Sequence, residues 1–197
     1  MPSWRSYNVI GKTKDDAIGE AFDKVARLLE LPYPGGPEIS KLAEQARKES
    51  LSVPPELKLP RPMLHSGDLH FSMSGLKTAV LTRVQKIDEL SPTIKKTIAL
   101  EFENAVTDVV VSKVRHAMQE VHAKTLIVGG GVSANTMIRT SLATLAKEEG
   151  FQLYIPDTKL STDNGLMIAA TGLLHLAHDV QPKTKLQANG SWSIETS

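Results

Sequence analysis

Cysteine is absent from the 197 residues, which excludes disulfide staples, thiolate catalysis and thiolate metal sites together. No run of about 18 apolar residues occurs, so no membrane-spanning helix is expected. Met1 leads into Pro2, Ser3, Trp4 and Arg5 rather than into a basic and then apolar leader, and a cytoplasmic location is the expectation. An excess of either charge is missing too. The 23 Lys and Arg residues nearly cancel 22 Asp and Glu, which argues against the strongly basic surface of a self-sufficient nucleic-acid binder. A nucleic-acid role would need a local patch or a partner. Internal repeats and low-complexity tracts are also lacking. What is present, 41% hydrophobic and 23% charged residues, is the composition of an ordinary globular chain long enough to bury a core.

Tyr7, Val9 and Ile10 alternate with polar residues before Gly11, which reads as a short strand entering a turn. A lone strand leaves its backbone unpaired, so a neighbouring element outside this sequence is expected and the chain looks truncated. From Thr13 onward, Ile18, Ala21, Phe22, Val25, Leu28 and Leu29 keep the helical period, with Thr13 and Asp16 as expected capping partners. Pro32, Pro34, Gly35, Gly36 and Pro37 end that helix, and Pro37 is expected to open a second one carrying Ile39, Leu42, Ala43 and Ala46. Residues 51–70 hold four prolines and read as a long surface connection with at most one edge strand. Ser74 is the expected N-cap of a third helix, and Ser91 with Pro92 opens a long central one reaching about His122.

The last third changes character. Thr125, Leu126, Ile127 and Val128 form a short apolar run of the kind buried on both faces in a parallel sheet. Gly129, Gly130 and Gly131 follow, then a helix over about 133–149, a strand at 151–155 and a helix over about 162–178, which together make a βαβα unit. The organisation expected is a remnant strand at 1–12, a helical part at 13–122, a nucleotide-binding βαβα part at 123–180 and a tail at 181–197.

Chemistry concentrates near the glycines. A strand–glycine–helix turn lets a ligand approach backbone amides and the positive end of a helix dipole, although three glycines serve an empty tight turn equally well. Asn135 can donate to and accept from a ribose hydroxyl or a base edge, or can cap its helix. Asp163 and Asn164 sit near the start of the last helix, where a carboxylate can cap or face a cation. In a βαβα unit both helix starts lie at the carboxyl ends of parallel strands, so Asn135 and Asp163 are expected to face one crevice. One aspartate does not hold a metal by itself. His65, His70, His175 and His178 are the other donors to weigh, and all four read better as surface residues. Asp16, Glu20 and Asp23 share one helical face, and Gly19, a poor helix former beside them, suggests close approach by something, a ligand included. Asp23 suits ribose hydroxyls, while Gly35 and Gly36 leave room for a flat base or sugar. Lys77, Arg83, Lys86, Lys95 and Lys96 are either phosphate contacts or a solvated face.

Four segments carry a resemblance: TKDDAIGEAFDKVARLLELPYPGGPEISKLA at 13–43, FSMSGLKTAV at 71–80, VGGGVSANTMIR at 128–139 and STDNGLMIA at 161–169. In this order they resemble the tRNA N6-adenosine threonylcarbamoyltransferase family. The resemblance implies the α/β actin-like, Hsp70-like ATPase fold, here mainly its C-terminal half, helix-rich with a small parallel sheet. It implies transfer of a threonylcarbamoyl group from threonylcarbamoyl-AMP to N6 of the adenosine beside the tRNA anticodon. By motif, Asp23, Gly36 and Asn135 match adenylate-contacting residues, and Asp163 matches the aspartate of a metal site, usually iron or zinc. The two histidines of that site belong to a His-x-x-x-His motif that this sequence does not contain, nor does it contain the family's Ser-Gly-Gly-His-Thr loop. Met73 stands where phenylalanine is usual and Ser161 where cysteine is frequent. The implied partners are tRNA, a paralogous dimerising subunit and a small ATPase. A non-catalytic scaffold paralogue and another ATP-using enzyme of the same fold are the rival readings.

Overall fold

The computed structural model describes residues 7–178. Six helices and two strands run in the order α1 (Ile18–Leu28), α2 (Gly35–Lys48), α3 (Ser74–Val84), α4 (Pro92–Glu120), β1 (Thr125–Ile127), α5 (Thr136–Glu149), β2 (Gln152–Tyr154) and α6 (Gly165–Ala177). The helix-rich α/β class expected from the sequence is what forms, with a parallel pair of strands in which Leu126 faces Leu153.

α4 is the central helix, and its 29 residues span more than twice the usual helix length. It starts where the local signals place it, with Ser91 Oγ accepting the Ile94 N–H and Pro92 in the first turn. Ile98, Phe102, Ala105, Val106 and Val109 are buried along it and join Phe22 and Val25 of α1 with its C-cap Leu29, Ile39 of α2, Leu76 and Val80 of α3 and Ile138 and Leu142 of α5 in one core. Phe22 and Phe102 meet edge to face with ring centres 5.0 Å apart. Each such side chain contributes roughly 1.5–3 kcal/mol by leaving water, so α4 holds the other helices together.

α4 also buries charge. Glu101 accepts the Leu59 N–H and pairs with Arg61 at 2.5 Å, and Lys113 Nζ reaches Ser66 Oγ at 2.8 Å and Asp68 Oδ1 at 3.3 Å. These pairs draw the proline-rich 51–70 segment inward. Leu57, Leu59 and Leu69 are buried, so that segment is not the surface connection the prolines suggested. Pro55–Leu57 form a short 3-10 turn.

Three expected starts shift. α1 begins at Ile18 with no side-chain cap, because Thr13 Oγ1 donates to the Asp15 and Asp16 carbonyls instead and Asp16 holds Lys24 at 2.6 Å. α2 begins at Gly35 rather than Pro37, its first N–H accepted by Asp23 Oδ1 at 2.7 Å. α3 includes Ser74 as its first residue, and its cap acceptor is Asp15. Of the strand expected at 1–12, residues 1–6 lie outside the described residues and residues 7–12 form no strand; a backbone bridge joins Thr13 to Phe71, with Lys14 donating to and Lys12 accepting from Phe71.

The sheet and α6 present an apolar surface. Ile127 is 77% and Tyr154 57% exposed, and Leu166, Ile168, Leu173 and Leu176 of α6 are all exposed. β1 was expected to be buried on both faces. Among the described residues its Leu126 packs on the core while Ile127 faces out, since alternate strand residues point to opposite faces and helices cover only one. The expected tail at 181–197 lies outside the described residues.

Candidate functional site

β1 ends at the glycines, and Val128 extends the pairing by donating its N–H to the Tyr154 carbonyl at 2.9 Å. Gly130 then adopts φ 85° and ψ 164°, a backbone state essentially reserved for glycine. Residues 131–134 make a 3-10 turn, closed by the Ser133 N–H on the Gly130 carbonyl. α5 therefore starts at Thr136, three residues later than expected, with Asn135 as its N-cap: Oδ1 accepts the Ile138 N–H at 2.9 Å.

The rest of the Asn135 amide is engaged as well. Its Nδ2 donates to Ser40 Oγ at 2.8 Å and to Glu103 Oε1 at 2.7 Å. Glu103 is almost wholly enclosed, and its other oxygen accepts from Arg47 Nη1 at 2.6 Å, while Arg47 Nη2 holds Asn104 Oδ1. A carboxylate taken out of water in this way is tolerated because both oxygens have charged or amide donors. Arg139, one turn into α5, clamps the opposite side, donating to the Ser133 and Pro156 carbonyls. Glu103 and Arg139 were not singled out from the sequence. Arg139 lies in the VGGGVSANTMIR segment and was open to notice, whereas nothing local marks Glu103.

A cavity of about 970 Å³ opens where the two strands end, lined by Gly129, Gly130, Gly131, Tyr154, Pro156, Ser161, Thr162, Asp163 and Met167. Its walls join the glycine turn to the start of α6. There the cap falls to Asn164, whose Oδ1 accepts the Met167 N–H at 3.0 Å, and Asp163 lines the cavity. Asn135 is not on this wall. Its amide turns toward α2 and α4.

Asp23, Gly36 and Asn135 instead gather around the first turns of α2. Asp23 caps Gly35, Gly36 follows, and Ser40 one turn on meets Asn135. A side chain at Gly36 would touch nothing within 4 Å, so there is open space beside it. Gly35 is the crowded glycine: a Cβ there would press on the Ala26 methyl and stand 2.8 Å from Asp23 Cα. The approach suspected at Gly19 is by Val132, whose Cγ2 lies 3.6 Å from a Cβ built there, which brings the glycine turn against α1.

The basic candidates are largely committed elsewhere. Lys95 pairs with Glu30, Lys96 with Glu49, and Arg83 donates to the Ala79 and Lys58 carbonyls. His70 Nδ1 accepts the Lys12 N–H, and His178 ends α6. Among the described residues no three His, Asp or Glu side chains converge as a metal site. Asp163 offers a single carboxylate, and the residues present do not by themselves fit a resident metal ion. The perturbed carboxylates lie away from the cavity. Burial pushes the Asp15 carboxyl up, but hydrogen bonds from Ser72, Ser74 and the Met73 and Ser74 amides outweigh it and hold the group well below the ordinary value. Asp68 is held low chiefly by the Ser66 hydroxyl, with Lys14 and Lys113 adding to it.

Residues 1–170 match the family model for tRNA N6-adenosine threonylcarbamoyltransferase. A protein of that name from Burkholderia thailandensis is 49% identical over 177 residues, covering 87% of this chain and 49% of the relative. Its namesake in Burkholderia multivorans is 50% identical over 177 residues, with the same coverage of 87% and 49%. That of Burkholderia ambifaria is 49% identical over 176 residues, covering 86% and 49%. The chain thus spans about half the length of the curated relatives it matches.

Proposed function

The chain belongs to the tRNA N6-adenosine threonylcarbamoyltransferase family, and from that membership we propose that it forms one wall of the site that transfers a threonylcarbamoyl group from threonylcarbamoyl-AMP to N6 of the adenosine beside the tRNA anticodon. The observation that carries this reading is the glycine turn: a Gly-only backbone at Gly130, opening on a cavity at the ends of two parallel strands. Such strand ends are where α/β sheets bind nucleotides.

In this reading Asp23 and Asn135, which stand by the first turns of α2 and do not line that cavity, hold the adenylate as it passes from the glycine turn, and Gly36 leaves space for it. One oxygen of Asp23 caps α2, and the other is left to meet a ribose hydroxyl. The transfer itself is attack of the adenosine amine on the carbamoyl carbon, with AMP as leaving group and the amine proton passing to solvent or to the departing phosphate. It needs no side-chain nucleophile from this chain, whose contribution is positioning. In the family's divalent metal site, iron or zinc, Asp163 would supply one carboxylate. A cytoplasmic location, tRNA as acceptor, and a paralogous dimerising subunit with a small ATPase as partners belong to the same proposal.

The test is titration of the purified chain with a non-hydrolysable threonylcarbamoyl-adenylate analogue. Saturable one-to-one binding is expected, and no binding by the folded chain would overturn the reading. Complementation then addresses catalysis: the native transferase is depleted, this chain is expressed, and threonylcarbamoyladenosine in digested tRNA is quantified by mass spectrometry. Recovery would establish independent activity. Binding without recovery would assign the chain a share of a site completed by another segment.

A further inference from the structure

Glu103 has 2% of its side chain exposed and meets the Asn135 amide without lining the cavity. We propose that Glu103 is a positioning residue that fixes the orientation of the Asn135 amide, so that Asn135 meets its ligand as a hydrogen-bond acceptor only. The inference rests on the reading that an adenylate lies against this turn.

The argument is one of donors and acceptors. A carboxylate paired with a guanidinium serves as an acceptor only, and Arg47 Nη1 donates to the far oxygen of Glu103 at 2.6 Å. Asn135 must therefore turn Nδ2 toward Glu103, where it donates at 2.7 Å. Its second Nδ2 proton goes to Ser40 Oγ at 2.8 Å. Oδ1 is thereby directed to the start of α5, where the Ile138 N–H takes one lone pair at 2.9 Å and no other donor among the described residues takes the second. The reverse orientation would set Oδ1 against the Glu103 carboxylate, acceptor against acceptor. With both N–H groups consumed, the amide suits a ribose hydroxyl, which donates, and rejects phosphate oxygens and unprotonated ring nitrogens, which do not. A site that hydrogen-bonds a hydroxyl discriminates strongly against the analogue lacking it.

The test uses the full chain with Glu103→Ala, Glu103→Gln and Ser40→Ala, and with Leu76→Ala as a core variant destabilised far from the turn. Nitrogen-15 NMR reads the exchange of the Asn135 side-chain amide protons, and calorimetry compares AMP with 2′,3′-dideoxy-AMP. In the parent chain both protons are expected to exchange slowly and AMP to be preferred by about tenfold or more. Glu103→Ala is expected to speed exchange and shrink the preference to within about threefold, whereas Leu76→Ala keeps both. Glu103→Gln, whose Oε1 still accepts, should retain slow exchange. Ser40→Ala should release one proton and leave the other slow, and this variant decides the matter if Glu103→Ala does not fold. Two fast protons in Ser40→Ala, or an unchanged nucleotide preference in folded Glu103→Ala, would overturn the proposal. If the parent chain binds neither nucleotide, the adenylate reading falls together with the ligand consequence, while slow exchange that depends on Glu103 would still establish the positioning contact.

Discussion

Asp15 Oδ1 accepts the Met73 backbone N–H at 2.7 Å across 58 residues of sequence. The same carboxylate takes the Ser74 N–H at 3.2 Å and the Ser74 hydroxyl at 2.7 Å, so the N-terminus of α3 is capped from the segment before α1. Ser74, the cap expected from the sequence, is a donor to the real one. Asp15→Ala is expected to destabilise the fold by about 1–2 kcal/mol, and Ser74→Ala by less. Urea unfolding of the two variants checks the order, and equal or reversed costs would show that Asp15 is not the cap.

The same contacts set a pH dependence. Hydrogen bonds hold the Asp15 and Asp68 carboxyls well below the ordinary aspartate range in the folded chain, so in acid the unfolded chain binds protons before the folded chain does. Stability is therefore fully present above about pH 4 and falls as pH drops from there through the lower folded values. The urea midpoint, followed from about pH 5 to about pH 2, is expected to decline, and to decline less steeply in Asp15→Asn with Asp68→Asn. A decline of the same steepness in the double variant would locate the effect in other carboxylates.

Adjacent glycines at the start of α2 are expected to behave oppositely. Gly35→Ala forces a methyl against Ala26 and Asp23 and should cost about 1–3 kcal/mol. Gly36→Ala enters open space and should leave stability within about 0.5 kcal/mol, while weakening adenylate-analogue binding if that space is occupied. Thermal melts and titrations on the pair separate packing from binding.

Within the glycine turn only Gly130 has a backbone that requires glycine, at φ 85°. Gly130→Ala is expected to cost about 1–3 kcal/mol, whereas Gly131→Ala, with nothing within 4 Å of its Cβ, should fold normally. Reduced analogue affinity in folded Gly131→Ala would place the ligand against this turn. Full affinity there would place it elsewhere.

Much of the site was legible where its signals are local. The glycine turn, the strand before it, and Asn135 as a possible cap all sit within a dozen residues, and the structure keeps them together. That Asn135 turns toward α2 and α4 while Asp163 lines the cavity was not legible, because the strand-end argument places helix starts and says nothing of side-chain direction. Glu103 was invisible for a related reason: a glutamate in a long helix looks solvated until α2 and the glycine turn close over it.

The helix caps divide in the same way. Ser91, Asn135 and Asn164 cap α4, α5 and α6 from their own first turns, and periodicity with cap residues located those helices from the sequence, α5 and α6 to within about three residues. α2 and α3 take their cap acceptors from Asp23 and Asp15, which belong to other segments. The sequence by itself determined that there would be six helices and a glycine turn between two parallel strands, since hydrophobic period and backbone freedom are properties of neighbouring residues. Which carboxylate satisfies which N–H was decided only by tertiary structure, because a hydrogen bond of under 3 Å is a matter of position in space, and packing around α4 is what brings residues 58 positions apart to that distance.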